Sequence, residues 1–343
     1  MRPTSSIISL DQVSIGYGTG RNDKKLVQNL DLTVSERQLI VLVGPNGVGK
    51  STLLRTIAGL QKPLCGSIQL FNKPTNNLNP KMLAHYVSVV LTSQIDTGYV
   101  TASELIAMGR LPHTGWLGTF SSLDRQKVSS AVKQTKVDHL LDKPVYQLSD
   151  GERQKIMIAR ALAQDTPIMI LDEPTTHLDI TNQMNIIQLL RSLVKTQNKC
   201  IILATHNIEL ALQVSDRMWL MHHGTMEDGT PEDLVLNGAL AQAMSTDLAP
   251  FNPERGTFQV QHSSTYPIVL KGTGIRAHWT QRALERAGYY VQNEGAVAVE
   301  IADEDDWLIY HNNQFIRSVD SIGSLLYQLS QLYSSSSLSH PDV

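Results

Sequence analysis

The sequence predicts an α/β fold with an open sheet, followed by a smaller α+β unit, and three observations carry that prediction. The stretches Leu39-Ile40-Val41-Leu42-Val43, Ile168-Met169-Ile170-Leu171 and Cys200-Ile201-Ile202-Leu203-Ala204 are unbroken apolar runs, as expected of strands buried on both faces. Each run ends in polar residues: a glycine loop after the first, Asp172-Glu173 after the second, Thr205-His206 after the third. Ligands of open α/β sheets gather at that strand edge. Beyond residue 263 the pattern changes to short strands and two helices.

The glycine loop organises the rest. Gly44-Pro45-Asn46-Gly47-Val48-Gly49-Lys50-Ser51-Thr52 fits G-x-x-x-x-G-K-[ST] at every fixed position. It follows the Leu39 run and precedes Leu53, Leu54, Ile57 and Leu60 at helical spacing. Strand, loop and helix is the order that phosphate binding needs. The glycines let several backbone N–H groups turn toward one anion, and the helix start adds unpaired donors and the positive end of its dipole. Lys50 is then placed for the β- and γ-phosphates and the Ser51 hydroxyl for Mg²⁺. The plain alternative, a turn that only joins strand to helix, leaves Lys50-Ser51 unexplained.

Composition sets the frame. The 343 residues suffice for one large domain and a small one. A hydrophobic content of 41% with 18% charged residues describes a globular chain with a sizeable core, and a formal net charge of −3 gives no nucleic-acid footprint. Cys65 and Cys200 suggest no disulfide framework, which favours a reducing compartment. The first ten residues lack the apolar core of a signal peptide. No apolar run approaches the roughly 20 residues that span a bilayer, so work at a membrane requires docking on another chain.

In chain order, residues 6–17 read as a strand ending in Tyr17, whose ring can stack on a purine base. Residues 26–35 alternate and feed the Leu39 strand, and residues 66–71 form another short strand. Residues 86–91 are a strand leading to Gln94, whose amide oxygen can ligate a metal ion or hold a water. Residues 100–111 read as a helix ended by Pro112, 113–120 as a loop and 125–141 as a helix. Ser149 and Glu152 stand at capping-box spacing before a helix that reaches about Gln164. That N-terminus can be simply well capped, and it can also meet an anion, with the Ser149 hydroxyl accepting from the backbone and donating to phosphate. Asp172 is placed for the Mg²⁺ shell and Glu173 to deprotonate a water that attacks the γ-phosphate. His206, at the same edge, can donate to a γ-phosphate oxygen. His177-Leu178-Asp179 lies in the loop after the acids.

Together these residues resemble the nucleotide-binding subunit of an ABC transporter, over about residues 5–246. The resemblance implies a P-loop NTPase with a RecA-like core and a helical subdomain near residues 80–163, using ATP and Mg²⁺. In it Tyr17 takes the place of the adenine-stacking aromatic and residues 44–52 that of the Walker A loop. Gln94 stands where the Q-loop glutamine does, a catalytic and metal position. Residues 148–152 match the signature segment, with Ser149 and Gly151 the groups that touch a γ-phosphate. Asp172 and Glu173 match the Walker B acids, Asp179 the D-loop aspartate and His206 the switch histidine. The usual signature LSGGQ here reads Leu148-Ser149-Asp150-Gly151-Glu152. Two acids therefore flank an anion site, and Glu152 is expected to point back and cap its helix.

The family pairs two subunits head to tail, with each ATP between one Walker A loop and the other signature helix. The segment Glu104 to His113 resembles that of iron-chelate (siderophore), haem and cobalamin importers, as does a single ATPase with no fused membrane domain. The implied partners are a second copy, a permease whose coupling helix enters a groove around residues 94–120, and indirectly a periplasmic or extracellular substrate-binding protein; no nucleic acid is expected. The implied place is peripheral, on the cytoplasmic face of the membrane. A soluble ABC ATPase without a membrane partner is the rival reading. Residues 247–262 are expected to be a linker, 263–333 a small α+β domain and 334–343 a disordered tail. Two roles stay open for the small domain: packing or subunit contact, and regulatory binding of a small ligand.

Overall fold

The computed structural model describes residues 6–18, 24–91, 98–115, 118–176, 178–246, 248–260, 263–302 and 306–335. These divide into two units, with the division between Gln259 and Val260. In the first unit, β1 (Ser6–Tyr17), β2 (Lys24–Ser35) and β3 (Leu39–Val43) lead through the glycine loop into α1 (Lys50–Ile57). β4 (Cys65–Leu70), β5 (Lys73–Pro74), α2 (Pro80–Tyr86) and β6 (Val87–Val90) follow. A helical stretch comes next: α3 (Ala102–Ala107), α4 (Ser122–Thr135) and α5 (Asp150–Ala163). The chain returns through β7 (Ile168–Asp172), α6 (Ile180–Gln197), β8 (Cys200–Ala204), α7 (Ile208–Val214), β9 (Arg217–His222) and β10 (Thr225–Gly229). It ends with α8 (Pro231–Leu236), α9 (Ala239–Met244), β11 (Phe251–Asn252) and β12 (Thr257–Phe258).

The main sheet has the order β10-β9-β3-β8-β7-β6, and only β10 runs antiparallel to its neighbour. A second, antiparallel sheet has the order β2-β1-β4-β5. The apolar runs now have a reason. Leu39, Val41 and Val43 face a core shared with the helices, while Ile40 and Leu42 face a core shared with α1 and the antiparallel sheet. Met169 and Leu171, like Ile201 and Leu203, face the first core, and Ile168, Ile170 and Ile202 face the second. With both faces buried, the apolar run of each strand leaves no place for a polar side chain before the strand's end, where β7 delivers Asp172. Each such side chain contributes about 1.5–3 kcal/mol by leaving water.

The helical stretch differs from expectation in its details. The expected helix over 100–111 is the short α3, capped by a Thr101–Glu104 box, and then a 3₁₀ turn, Met108–His113, that contains Pro112. α4 starts and stops earlier than expected, because Ser121 caps its start and Lys136 takes a left-handed conformation at its end. Arg110 explains how these pieces hold together. Its buried guanidinium donates to Asp124 Oδ1 at 2.8 Å and to the carbonyls of Ala163 and Gln164 at 2.9 and 3.3 Å, at the C-terminal end of α5. The other oxygen of Asp124 accepts from the N–H and hydroxyl of Ser121 at 2.9 and 2.6 Å. Hydrogen bonds from Ser121, then Arg110, hold the Asp124 carboxyl down to about 2. Its contribution to stability is therefore complete above the ordinary aspartate range and is lost as the pH falls through about 2.

The stretch expected as a linker is in part structured. β11 and β12 form a small hairpin whose Phe251 is buried in the first core, with Phe258 packed beside it. Both are apolar side chains that a free linker would leave in water. Cys200 is buried, and Cys65 is exposed. Among the described residues, no helix is long and apolar enough to cross a membrane.

The second unit is β13 (Tyr266–Lys271), α10 (Gly274–Arg286), β14 (Tyr289–Val291), β15 (Val297–Ile301), β16 (Trp307–His311), β17 (Gln314–Val319) and α11 (Ile322–Ser335). The sheet order is β14-β13-β15-β16-β17, with β14 and β15 parallel to β13 and the last strands antiparallel. Asn312 and Asn313 have φ of 51° and 63°, the left-handed pair that a tight hairpin needs. Buried Trp307 donates from Nε1 to Thr280 Oγ1 at 2.7 Å, and the Arg276 guanidinium lies 4.3 Å from the Trp307 ring centroid. Ser334 and Ser335, expected in a disordered tail, belong to α11, and residues 336–343 of that tail lie outside the described residues.

Gly109 generates a test of the helical packing. A Cβ there would lie 2.2 Å from the Arg160 carbonyl oxygen on α5, an approach that only glycine permits. Gly109→Ala is expected to destabilise the protein by about 1–3 kcal/mol, measured by denaturant unfolding. Unchanged stability would mean that α5 does not depend on this contact.

Candidate nucleotide-binding site

The loop between β3 and α1 is shaped by its glycines. Gly44, Gly47 and Gly49 have φ of 154°, 77° and 116°. At Gly44 the need is double, because a Cβ would also lie 2.2 Å from the Met221 carbonyl oxygen of β9. Lys50, 6% exposed, donates from Nζ to the Gly44 and Pro45 carbonyls at 2.7 and 3.0 Å. Burial pulls the Lys50 ammonium below its ordinary range, and the charges of Glu173 and Asp172 oppose that shift.

The two acids arrive from β7. Asp172 is its last residue, 3% exposed and paired in register with Ala204 of β8. Burial raises the Asp172 carboxyl, a hydrogen bond from Ser51 works against that, and Glu173 adds to it. Glu173 has φ of 50°, left-handed for a residue with a side chain, and its N–H donates to the Ala204 carbonyl at 3.0 Å. Such a backbone costs on the order of 1–3 kcal/mol and is characteristic of functional positions. It turns the Glu173 carboxylate toward His206, whose Nδ1 lies 3.4 Å from Oε2, while Thr176 donates to the same oxygen at 3.1 Å. Tyr17 also joins this site, since its hydroxyl lies 2.7 Å from Thr52 Oγ1. Gln94 and His177 lie outside the described residues.

Ser149, Gly151 and Asp179 form a second cluster. Ser149 caps α5, and its N–H and hydroxyl both donate to Glu152 Oε2, at 2.9 and 3.0 Å. Glu152 therefore turns back on its own helix, as expected, and Lys143 lies 3.7 Å from its other oxygen. Within this single chain the Ser149 hydroxyl gives its hydrogen to Glu152, a stronger acceptor than solvent. Gly151 packs against the loop after β7, where a Cβ would lie 3.1 Å from Leu178 Cδ2. Asp179 caps α6 by accepting from the N–H and the Nδ2 of Asn182 at 2.7 and 2.8 Å. Lys155 of α5 donates to the remaining amide oxygen of Asn182 at 2.8 Å. Among the described residues, no hydrogen bond or ion pair joins this cluster to the Gly44–Thr52 loop.

Thr176, Asn182 and Lys155 escape a motif-based reading. Only Asn182 carries a sequence signal, the three-residue spacing from a capping aspartate.

Comparison with known proteins agrees with this geometry. The family model described as "ABC transporter" matches residues 27–176, and "Iron ABC transporter C-terminal domain" matches residues 265–330. An uncharacterised ABC transporter ATP-binding protein of Methanocaldococcus jannaschii is 35% identical over 274 residues, covering 78% of this chain and 93% of that protein. The iron(3+)-hydroxamate import ATP-binding protein of Bacillus subtilis is 32% identical, covering 70% of this chain and 88% of that protein. A dimeric ATP-binding cassette solved in a post-hydrolysis state with ADP and phosphate superimposes with a TM-score of 0.57 at 28% identity, over 64% of this chain and 97% of that one. With a P-loop ATPase core, a helical subdomain and a smaller C-terminal α+β domain, this chain belongs to the ATP-binding, ATP-hydrolysing subunits of ABC transporters, and is related to those of siderophore and iron-chelate import.

Proposed function

We propose that this chain is the motor of an importer for an iron chelate of the siderophore type, working with a membrane permease at the cytoplasmic face. The observation that carries the reading is the pairing, in one chain, of the ATPase with a unit that matches an iron-transporter C-terminal domain. The relative named for iron(3+)-hydroxamate import points the same way. Haem and cobalamin belong to the same importer group, and the siderophore class is preferred to them on those two matches.

In this reading Tyr17 stacks on adenine and the backbone of residues 44–52 encloses the phosphates. Lys50 exchanges the Gly44 and Pro45 carbonyls for phosphate oxygens, a change of partner that keeps a buried ammonium satisfied. Ser51 and Asp172, with Gln94, would hold Mg²⁺. A hydroxyl bonded to a buried carboxylate fits that hard cation, which prefers oxygen donors. Bound there, Mg²⁺ would offset charge on the β- and γ-phosphates. Glu173 takes the proton of the attacking water, and His206, beside it, donates to the γ-phosphate.

Ser149, Gly151 and Asp179 complete the site of a second copy, head to tail. Support comes from their separation from the loop within one chain and from the dimeric relative. Ser149 would then turn its hydroxyl hydrogen bond from Glu152 to the partner's nucleotide. The permease's coupling helix would enter a groove around residues 94–120, of which Ala107 and Phe120 also line a cavity of about 590 Å³ beside α3 and α4. ATP draws the pair together, and hydrolysis releases it, switching the permease between inward and outward states.

The reading is tested by mild-detergent isolation of this chain from its own cells. A polytopic permease is expected with it, and soluble partners alone would favour a soluble ATPase. Glu173→Gln is expected to keep ATP binding, trap a dimer and lose about 10²-fold or more in turnover; parent-like steady-state hydrolysis would remove Glu173 from the role of base. Lys50→Ala is expected to weaken ATP binding by about ten- to a hundred-fold in calorimetry. Parent-like affinity would overturn the assignment of the loop.

A further inference from the structure

We propose that Thr52 and Gln61 are positioning residues for the adenine platform, fastening the end of β1 to the phosphate-binding segment so that the Tyr17 ring is held at a set place relative to the loop. The inference rests on the reading of Tyr17 as the base-stacking aromatic.

Tyr17 is the last residue of β1 and is 57% exposed, so the ring has a face open to a base. Its hydroxyl is nevertheless engaged, 2.7 Å from Thr52 Oγ1. Thr52 is 3% exposed and lies in the first turn of α1, two residues after Lys50, so the anchor belongs to the phosphate-binding element itself. A second tie lies one residue back. Gln61, just beyond α1, donates from Nε2 to the Gly16 carbonyl at 2.7 Å, and Leu64 N–H donates to the Ser14 carbonyl at 2.8 Å. On the other side, Gly16 and Tyr17 pair with Lys25 and Lys24 of β2. The approach there is so close that a Cβ at Gly16 would lie 2.1 Å from the Lys24 carbonyl oxygen. The strand end is therefore gripped from both sides, and the ring is tethered at its tip.

This matters because ATP is held at two ends. Stacking on every base is sequence-tolerant and weakly directional, so a ring free to swing contributes little to the register between base and phosphates. A tethered ring meets the adenine without first being ordered, which lowers the entropic cost of binding. Phenylalanine at position 17 would keep the face and lose the tether.

The test measures MgATP affinity by calorimetry, with KM and kcat, on the full chain and on Tyr17→Ala, Tyr17→Phe, Thr52→Val, Thr52→Ser, Gln61→Leu and the Tyr17→Phe/Thr52→Val pair. A melting temperature is taken for each. Tyr17→Phe, Thr52→Val and Gln61→Leu are expected to weaken binding by about two- to ten-fold, the worth of one hydrogen bond, raising KM more than they lower kcat. Thr52→Ser, which keeps the hydroxyl, is expected to recover most of the affinity that Thr52→Val loses. The double variant is expected to be no weaker than the poorer single one. If Thr52→Val costs as much in the Tyr17→Phe background as alone, Thr52 acts independently of the ring and the inference fails. It fails too if Tyr17→Ala weakens binding by about ten-fold while Tyr17→Phe and Thr52→Val do not. Parent-like affinity in Tyr17→Ala would instead overturn the base-stacking reading itself.

Discussion

Lys50 carries a positive charge into a place that is 6% exposed, and the first unit is arranged around accommodating it. A buried ammonium is tolerated only with acceptors on its protons and negative charge nearby. The loop supplies the acceptors by turning the Gly44 and Pro45 carbonyls inward. That turn requires glycine, and the Met221 carbonyl against Gly44 leaves no space for anything larger. The negative charge comes from Asp172 and Glu173, delivered by β7 two strands away in the same sheet. Asp172 is itself buried and shifted toward its neutral form, so each charge needs the other. A phosphate changes this balance, because it offers Lys50 stronger acceptors than the loop's own carbonyls.

Much of this was legible in the sequence because the constraints are local. The glycine spacing, the apolar runs and the acids at a strand end each follow from a few consecutive residues. The Ser149–Glu152 box was legible for the same reason, as a three-residue spacing. What it did not disclose is where the serine proton goes, since that depends on a rotamer and a competing acceptor. The Gly109-Arg110 segment was readable as a resemblance but not as a mechanism. Its role emerges only when Arg160, Ala163 and Gln164, some fifty residues later in the chain, are brought against it. Phe251 and Phe258 escaped for a similar reason: two aromatics among prolines and glycines read as linker until the core they cover is known.

The two clusters of the ATPase unit divide the chemistry. The loop, Asp172, Glu173 and His206 gather the groups proposed to meet a nucleotide, while Ser149 and Asp179 spend their hydrogen bonds capping helices. In a single copy the second cluster is a set of well-made helix starts. In the proposed pair those starts face a phosphate, and the acids of Asp150-Gly151-Glu152 become tolerable because they are already engaged. Glu152 accepts from the Ser149 N–H, and Arg153 lies 3.8 Å from Asp150.

Asn182 offers a last consequence, in which side chains its two neighbours can tolerate. Its side-chain amide gives a hydrogen to Asp179 and takes one from Lys155, a donor on one side and an acceptor on the other. Aspartate would suit the lysine but set two carboxylates against each other. Leucine would silence both neighbours, and lysine would repel Lys155. Few side chains of that length offer both polarities. A change at position 182 is therefore felt on two elements at once, at Lys155 on α5 and at Asp179 at the start of α6.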